Sequence, residues 1–208
     1  MSTPTVSRFF AVLALACWVG VAAVVGLVIA RRRRPGGRAD DAYRDVQRNA
    51  LWLAWIVALV ATLGSLYYSE IAHFVPCKLC WYQRICMYPL AVILLVAAVR
   101  RERRIWMYVL PQAVVGAGFA LYHTQLQAFP SQGSSFCTTL EPCTVRYVWQ
   151  FGFVSLPFMA LSAFSFIITM LLVARRAPGT EEESLSFDEA SESEPPSGGD
   201  RLEGTLTR

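Results

Sequence analysis

Four cysteines fall into two close pairs: Cys77 and Cys80 in Pro76-Cys-Lys-Leu-Cys-Trp-Tyr-Gln-Arg84, and Cys137 and Cys143 in Phe136-Cys-Thr-Thr-Leu-Glu-Pro-Cys143. Paired thiols can exchange disulfides, because a thiolate attacks a neighbouring disulfide sulfur; they can equally form inert staples or hold a metal. A Cys-x-x-Cys that opens a helix favours exchange, since the positive helix N-terminus stabilises the thiolate. Its spacing puts both sulfurs on one helical face, and Arg84 stands one turn further along nearly the same face. An arginine near lipid is costly unless paired or functional, so Arg84 is a candidate donor to an anion or a quinone oxygen; the alternative is snorkelling to the surface. The pair at 137 and 143 lies in a long stretch with Ser, Gly and Pro, which suits a mobile, accessible disulfide. Taken alone, a static staple is the better reading of it. Cys17 and Cys86 sit inside apolar runs, where a thiol behaves as a small buried hydrophobe.

The elements that position these residues are membrane helices. Hydrophobic residues make up 55% of the chain and the mean hydropathy is +0.41, high for a water-soluble protein. The apolar residues cluster in five runs, roughly Phe9 to Ala30, Leu51 to Tyr68, Ile85 to Val99, Ile105 to Leu126 and Phe151 to Ala174. The third reaches spanning length if it starts near Trp81. None carries the polar stripe of a soluble core helix or the period-two alternation of a barrel strand, so all five are expected to be transmembrane helices. The first run is longer than a signal-peptide core and ends in Arg31-Arg32-Arg33-Arg34, not in a cleavage site, so it is kept as a helix.

Arginine concentrates between runs one and two, between three and four (Arg100, Arg101, Arg103, Arg104) and after the fifth (Arg175, Arg176). By the positive-inside tendency those loops are cytoplasmic, and the N-terminus and both cysteine loops lie outside, where disulfides persist. That compartment, and the lack of a second tight Cys-x-x-Cys, argue against a zinc site, so no metal is expected. The net charge of +4 sits beside membrane spans and reads as anchoring to the bilayer, not as a nucleic-acid footprint. Residues 175–208 are rich in Glu, Ser, Gly and Pro and are expected to form a disordered, acidic cytoplasmic tail. His123, toward the outer end of the fourth run, is either a proton carrier or a polar anchor, and Glu70 is a weaker candidate for the same proton path. Val145 to Phe151, with Tyr147 and Trp149, reads as a short interfacial segment.

The run Pro76-Cys-Lys-Leu-Cys-Trp-Tyr-Gln-Arg-Ile-Cys-Met-Tyr-Pro89 resembles the DsbB family of disulfide bond formation proteins, especially the BdbC-type members of Gram-positive bacteria. The likeness extends from about Leu51 to Ala174, through Tyr122-His-Thr-Gln-Leu-Gln127, the second cysteine pair and Phe151-Gly-Phe-Val-Ser-Leu-Pro157. The resemblance implies an all-α integral membrane protein, a four-helix transmembrane bundle at 51–174 holding a quinone (menaquinone or ubiquinone) drawn from the membrane pool. To it this chain adds an N-terminal helix at 1–30, an Arg-rich cytoplasmic loop at 31–50 and the acidic tail. It further implies that Cys77 and Cys80 are coupled to the quinone, Cys80 being nearest the ring, with Arg84 and His123 at the quinone. Cys137 and Cys143 would exchange with an extracytoplasmic, DsbA-like thioredoxin-fold oxidase, Cys137 forming the mixed disulfide.

Redox potentials fit such an acceptor. A DsbA-like oxidant lies near about −120 mV and structural disulfides below roughly −300 mV, an adverse gap of about 180 mV, or on the order of 8 kcal/mol for two electrons. An ordinary disulfide therefore cannot recharge such a partner. Two rival readings remain at this stage. One is a quinone-linked enzyme akin to vitamin K epoxide reductase, for which the order of the two pairs is reversed from expectation; the other is a membrane scaffold with structural disulfides, against which the positions of Arg84 and His123 argue.

Overall fold

The computed structural model describes residues 3–33, 37–130, 137 and 143–176. Among the described residues, five helices are long and apolar enough to cross a membrane: α1 Thr3–Arg33, α2 Arg38–Leu66, α3 Lys78–Arg100, α4 Trp106–Ala128 and α5 Leu156–Ala174. A chain with five such helices is a multi-pass membrane protein. No strand occurs among the described residues; the nearest feature is an isolated bridge between Gln150 and Val154. The expected tail and most of the second cysteine loop lie outside the described residues.

Three boundaries differ from the apolar runs. Helix α2 begins well before Leu51, so much of the stretch read as an Arg-rich loop is helical. Asp40 and Asp41 lie in its first turn, where negative charge suits the helix dipole, and Tyr43 and Ala50 are buried on one face. The helix end at Leu66 continues as a π-helical turn, Tyr67–Ile71, which widens the chain just before the Cys-x-x-Cys. Helix α5 starts at Leu156, not Phe151, because Phe151 and Gly152 both adopt positive φ in a tight turn closed by the Gln150–Val154 bonds. Pro157 then occupies the first turn of α5, where its missing N–H costs nothing.

Helices α2, α3, α4 and α5 each pack on two neighbours within this set, and α1 lies against α5 and α2. With lipid outside, close approach through small residues supplies the packing. Ala50, Ala54 and Ala58 form a buried ridge on α2, and Gly116 of α4 admits the Phe164 ring of α5 so closely that a Cβ there would lie 2.4 Å from it. Gln112 of α4 donates to the Cys86 carbonyl at 2.9 Å, three residues before the helix-interior Pro89, and so ties α4 to α3. Cys86 itself is buried in the main core, as a small hydrophobe would be.

The two ends of the molecule differ in chemistry. One end gathers the basic helix termini: Arg31 pairs with Asp40 at 3.2 Å and lies over Tyr43, and Arg175 lies over Trp106. The other end gathers the start of α1, the end of α2, the start of α3, the end of α4 and the start of α5. Its links include Tyr68–Ser7, Arg84–Ser65 and His123–Cys143.

Candidate active site

Pro76 and Cys77 bring the chain extended into α3, and Cys77 is its N-cap residue, its carbonyl accepting from Trp81 N–H at 3.1 Å. Cys80 follows one turn in, and the two Sγ atoms are 3.2 Å apart as free thiols. Cys77 is buried, yet its pKa is lowered from the usual 9.0 to about 4. The main cause is the hydrogen bond from Cys80, joined by the contact with His123, and together they overcome the upward push of burial. The helix N-terminus acts in the same direction.

His123, only 2% exposed, stands between the two cysteine pairs. Its Nε2 is 3.0 Å from the Cys143 carbonyl and 3.8 Å from Cys77 Sγ, while Nδ1 lies 3.1 Å from Gln83 Nε2. A carbonyl only accepts, so Nε2 carries a proton, and the Gln83 amide donates to Nδ1. One ring N–H thus faces both a carbonyl of the second pair and a sulfur of the first.

Cys137 and Cys143 form a disulfide. Cys143 joins Cys77, Leu79 and Leu126 in a small buried cluster, with Cys80 and Cys137 packed against it, so all four predicted redox cysteines meet in one place. The segment after Cys143 is fixed to the end of α4: Gln127 Nε2 donates to the Val145 carbonyl at 2.9 Å, and Arg146 donates to the Gln127 carbonyl while stacking over Trp149. Tyr147 stacks on Phe74 at 4.7 Å.

Two cavities adjoin this cluster. The smaller, about 200 Å³, is lined by Cys77, Cys80, His123, Gln127 and Cys143 among others. The larger, about 390 Å³ and mostly apolar, reaches Cys80, Gln83, Arg84, Ser65 and Tyr88 at one end and runs between α1, α2 and α5. Cys80 lines both. Arg84 donates through Nε to Ser65 Oγ at 3.0 Å and through a terminal nitrogen to the Ser65 carbonyl at 3.1 Å, and Tyr88 donates to the same Oγ at 3.3 Å. These bonds hold the guanidinium at the cavity instead of letting it snorkel.

The structure therefore gathers every predicted site residue at one end but divides them: Arg84 lines the larger cavity, His123 the smaller. Glu70 is exposed, accepts from Ser69, and lines neither. Ser65 and Gln83 went unnoticed in the sequence. Gln83 adjoins Arg84 in the motif, which was a signal; Ser65 sits in an apolar run with none.

A cavity of this volume, apolar along its length and polar at the end beside Cys80, fits a quinone: Arg84, with N–H groups beyond those bound to Ser65, would hold a ring oxygen and the aliphatic walls the remainder.

The family model described as "Disulfide bond formation protein DsbB" matches residues 47–174. Disulfide bond formation protein C of Bacillus subtilis (strain 168) is 46% identical over 126 residues, covering 60% of this chain and 91% of the relative. A probable disulfide formation protein C 1 of Bacillus cereus (strain ATCC 10987 / NRS 248) is 50% identical over 121 residues, 57% of this chain and 86% of the relative. A probable disulfide formation protein of Coxiella burnetii (strain CbuK_Q154) is 39% identical over 134 residues, 64% and 91% respectively. No solved structure matches the chain. Residues 47–174 contain both cysteine pairs, Arg84, His123 and helices α3 to α5, whereas α1 lies outside them. With the sulfur cluster and that match in agreement, the chain belongs to the DsbB family of disulfide bond formation proteins.

Proposed function

We propose that the protein is a thiol:quinone oxidoreductase that reoxidises an extracytoplasmic, DsbA-like thioredoxin-fold oxidase and so sustains disulfide formation in exported proteins. The redox core is a four-helix bundle, α2 to α5, to which α1 is added. The observation that carries the reading is the position of Cys80, which lines both the sulfur cavity and the apolar cavity that holds Arg84.

In the cycle, a thiolate of the reduced partner attacks Cys137 Sγ, breaking the Cys137–Cys143 bond and releasing Cys143 as thiolate. Cys143 attacks Cys77 Sγ of the Cys77–Cys80 disulfide and releases Cys80. The partner's second thiol resolves its mixed disulfide with Cys137 and departs oxidised. Cys137 then attacks Cys143, restoring the loop disulfide and leaving Cys77 and Cys80 reduced. A quinone bound at the apolar cavity supplies the acceptor for the two electrons and two protons released as the Cys77–Cys80 bond re-forms. In this scheme His123 steadies the charge on Cys77 through Nε2–H and moves a proton at that sulfur, its ring held by Gln83. Arg84, fixed by Ser65, presents positive charge beside Cys80.

Detergent-purified protein supplied with quinone and a reduced thioredoxin-fold oxidase is expected to reduce quinone, and Cys80→Ser and Cys137→Ser are each expected to abolish it. Absence of quinone reduction by folded parent protein, across several quinones and partners, would overturn the proposal.

A further inference from the structure

Helix α1 lies outside the segment shared with the family, yet it is built into the larger cavity. Phe10, Leu13, Ala14, Ala16 and Cys17 supply one of its sides, facing α2 and α5. The helix is locked in place along its length. The Phe10 ring fills the notch at Gly64 of α2, where a Cβ would lie 2.8 Å from it, and Phe166 of α5 fills the notch at Gly20 of α1, where the corresponding distance is 2.7 Å. At the cysteine end Tyr68 donates to the buried Ser7 hydroxyl at 3.2 Å. A helix that served only to anchor the chain would need none of these contacts.

The cavity is elongated. Its lining on α2 extends from Ile56 to Ser65, about 14 Å of helix, with Tyr68 of the π-helical turn beyond it, and on α1 from Phe10 to Cys17, about 10 Å. Polar groups concentrate at one end, around Arg84, Ser65, Tyr88 and Gln83; the other end is formed by Leu13, Cys17, Ile56 and Phe166. A compact ring alone needs only the polar end.

We infer that α1 is the wall of a tail channel: with α2 and α5 it encloses the isoprenoid chain of a lipid quinone whose ring is held at the Cys80–Arg84 end. The inference rests on the function proposed above and assigns to α1 the discrimination between tailed and tail-less acceptors. Aliphatic and aromatic side chains recognise the tail by excluding water and lipid from it.

The test measures equilibrium binding to the fully oxidised, full-length protein, in which no turnover occurs, by quenching of tryptophan fluorescence. The probes are a quinone with several isoprene units and the same ring with no tail. Leu13→Trp and Cys17→Phe, which fill the apolar end, are expected to raise Kd for the tailed quinone at least tenfold and to leave the tail-less ring within twofold. Val19→Trp, on the exposed face of α1, serves as the control and is expected to change neither. Disulfide exchange with the reduced partner, followed without quinone, is expected to match the parent in all three variants and reports that they are folded. Unchanged tailed-quinone affinity in Leu13→Trp and Cys17→Phe, with the parent still binding and reducing quinone, would overturn the role of α1 alone. Equal weakening of both probes would also overturn it, whereas a parent that reduces no quinone removes the underlying function.

Discussion

At the scale of single residues, the candidate site turns on where one proton resides. The Cys77 thiolate is favoured by Cys80, His123 and the start of α3, so it should persist as pH falls and be lost only through about 4, whereas an ordinary thiol is protonated below 9.0. Alkylation of the reduced protein, mapped to Cys77 across pH 4 to 9, should therefore stay rapid in the acid half of the range; in His123→Ala the profile should move to higher pH. A profile rising only near 9 would contradict the geometry. Ser65→Ala removes the hydroxyl that holds Arg84 Nε and receives Tyr88. A hydrogen bond to a charged group is worth roughly 1.5 to 3 kcal/mol, but the Ser65 carbonyl bond survives, so a smaller loss of about fivefold in quinone affinity is expected, with partner exchange unaltered. Cys77, Cys80 and Arg84 were legible because their spacing is local to one helix. Ser65 and Gln83 were not, since their roles depend on which faces of α2, α3 and α4 meet, and apolar sequences do not encode that.

At the scale of the helices, close packing is set by the glycines. Replacing Gly116 by Val would drive a side chain into Phe164 and Cys86, and overpacking of this kind costs about 1 to 3 kcal/mol. A lower thermal midpoint in detergent is expected, and an unchanged midpoint would show that α4 and α5 can separate without penalty. The existence of all five helices could be read from the sequence because lipid demands a long apolar run for every span. The early start of α2 could not, since Arg38 to Ala50 is polar and becomes helical through Asp40, Asp41 and the burial of Tyr43 against the rest of the protein. Nor could the site of α1: its residues read as generic membrane span, and its two aromatic-to-glycine contacts, Phe10 with Gly64 and Gly20 with Phe166, join residues far apart in the sequence.

For the whole molecule, Arg31, Arg100, Arg101, Arg103, Arg104 and Arg175 crowd one end of the bundle and both cysteine pairs the other, which favours the proposal that the cysteine loops lie outside. The proposed topology, with five spans, puts the start of α1 and the end of α5 on opposite sides of the membrane. Reporter fusions should be active outside at the N-terminus and inside at the C-terminus, and replacing Arg100, Arg101, Arg103 and Arg104 with Gln should weaken that preference; termini on the same side would refute the five-span topology. The position of Cys80 in two cavity walls has one more consequence, which concerns distance. In the proposed cycle one side chain, Cys80, faces both the other thiols and the bound carrier, so electrons would pass between them without a long-range hop. Throughput would then be governed by how often the participants meet in the right pose, the protein serving as a junction and not as a wire.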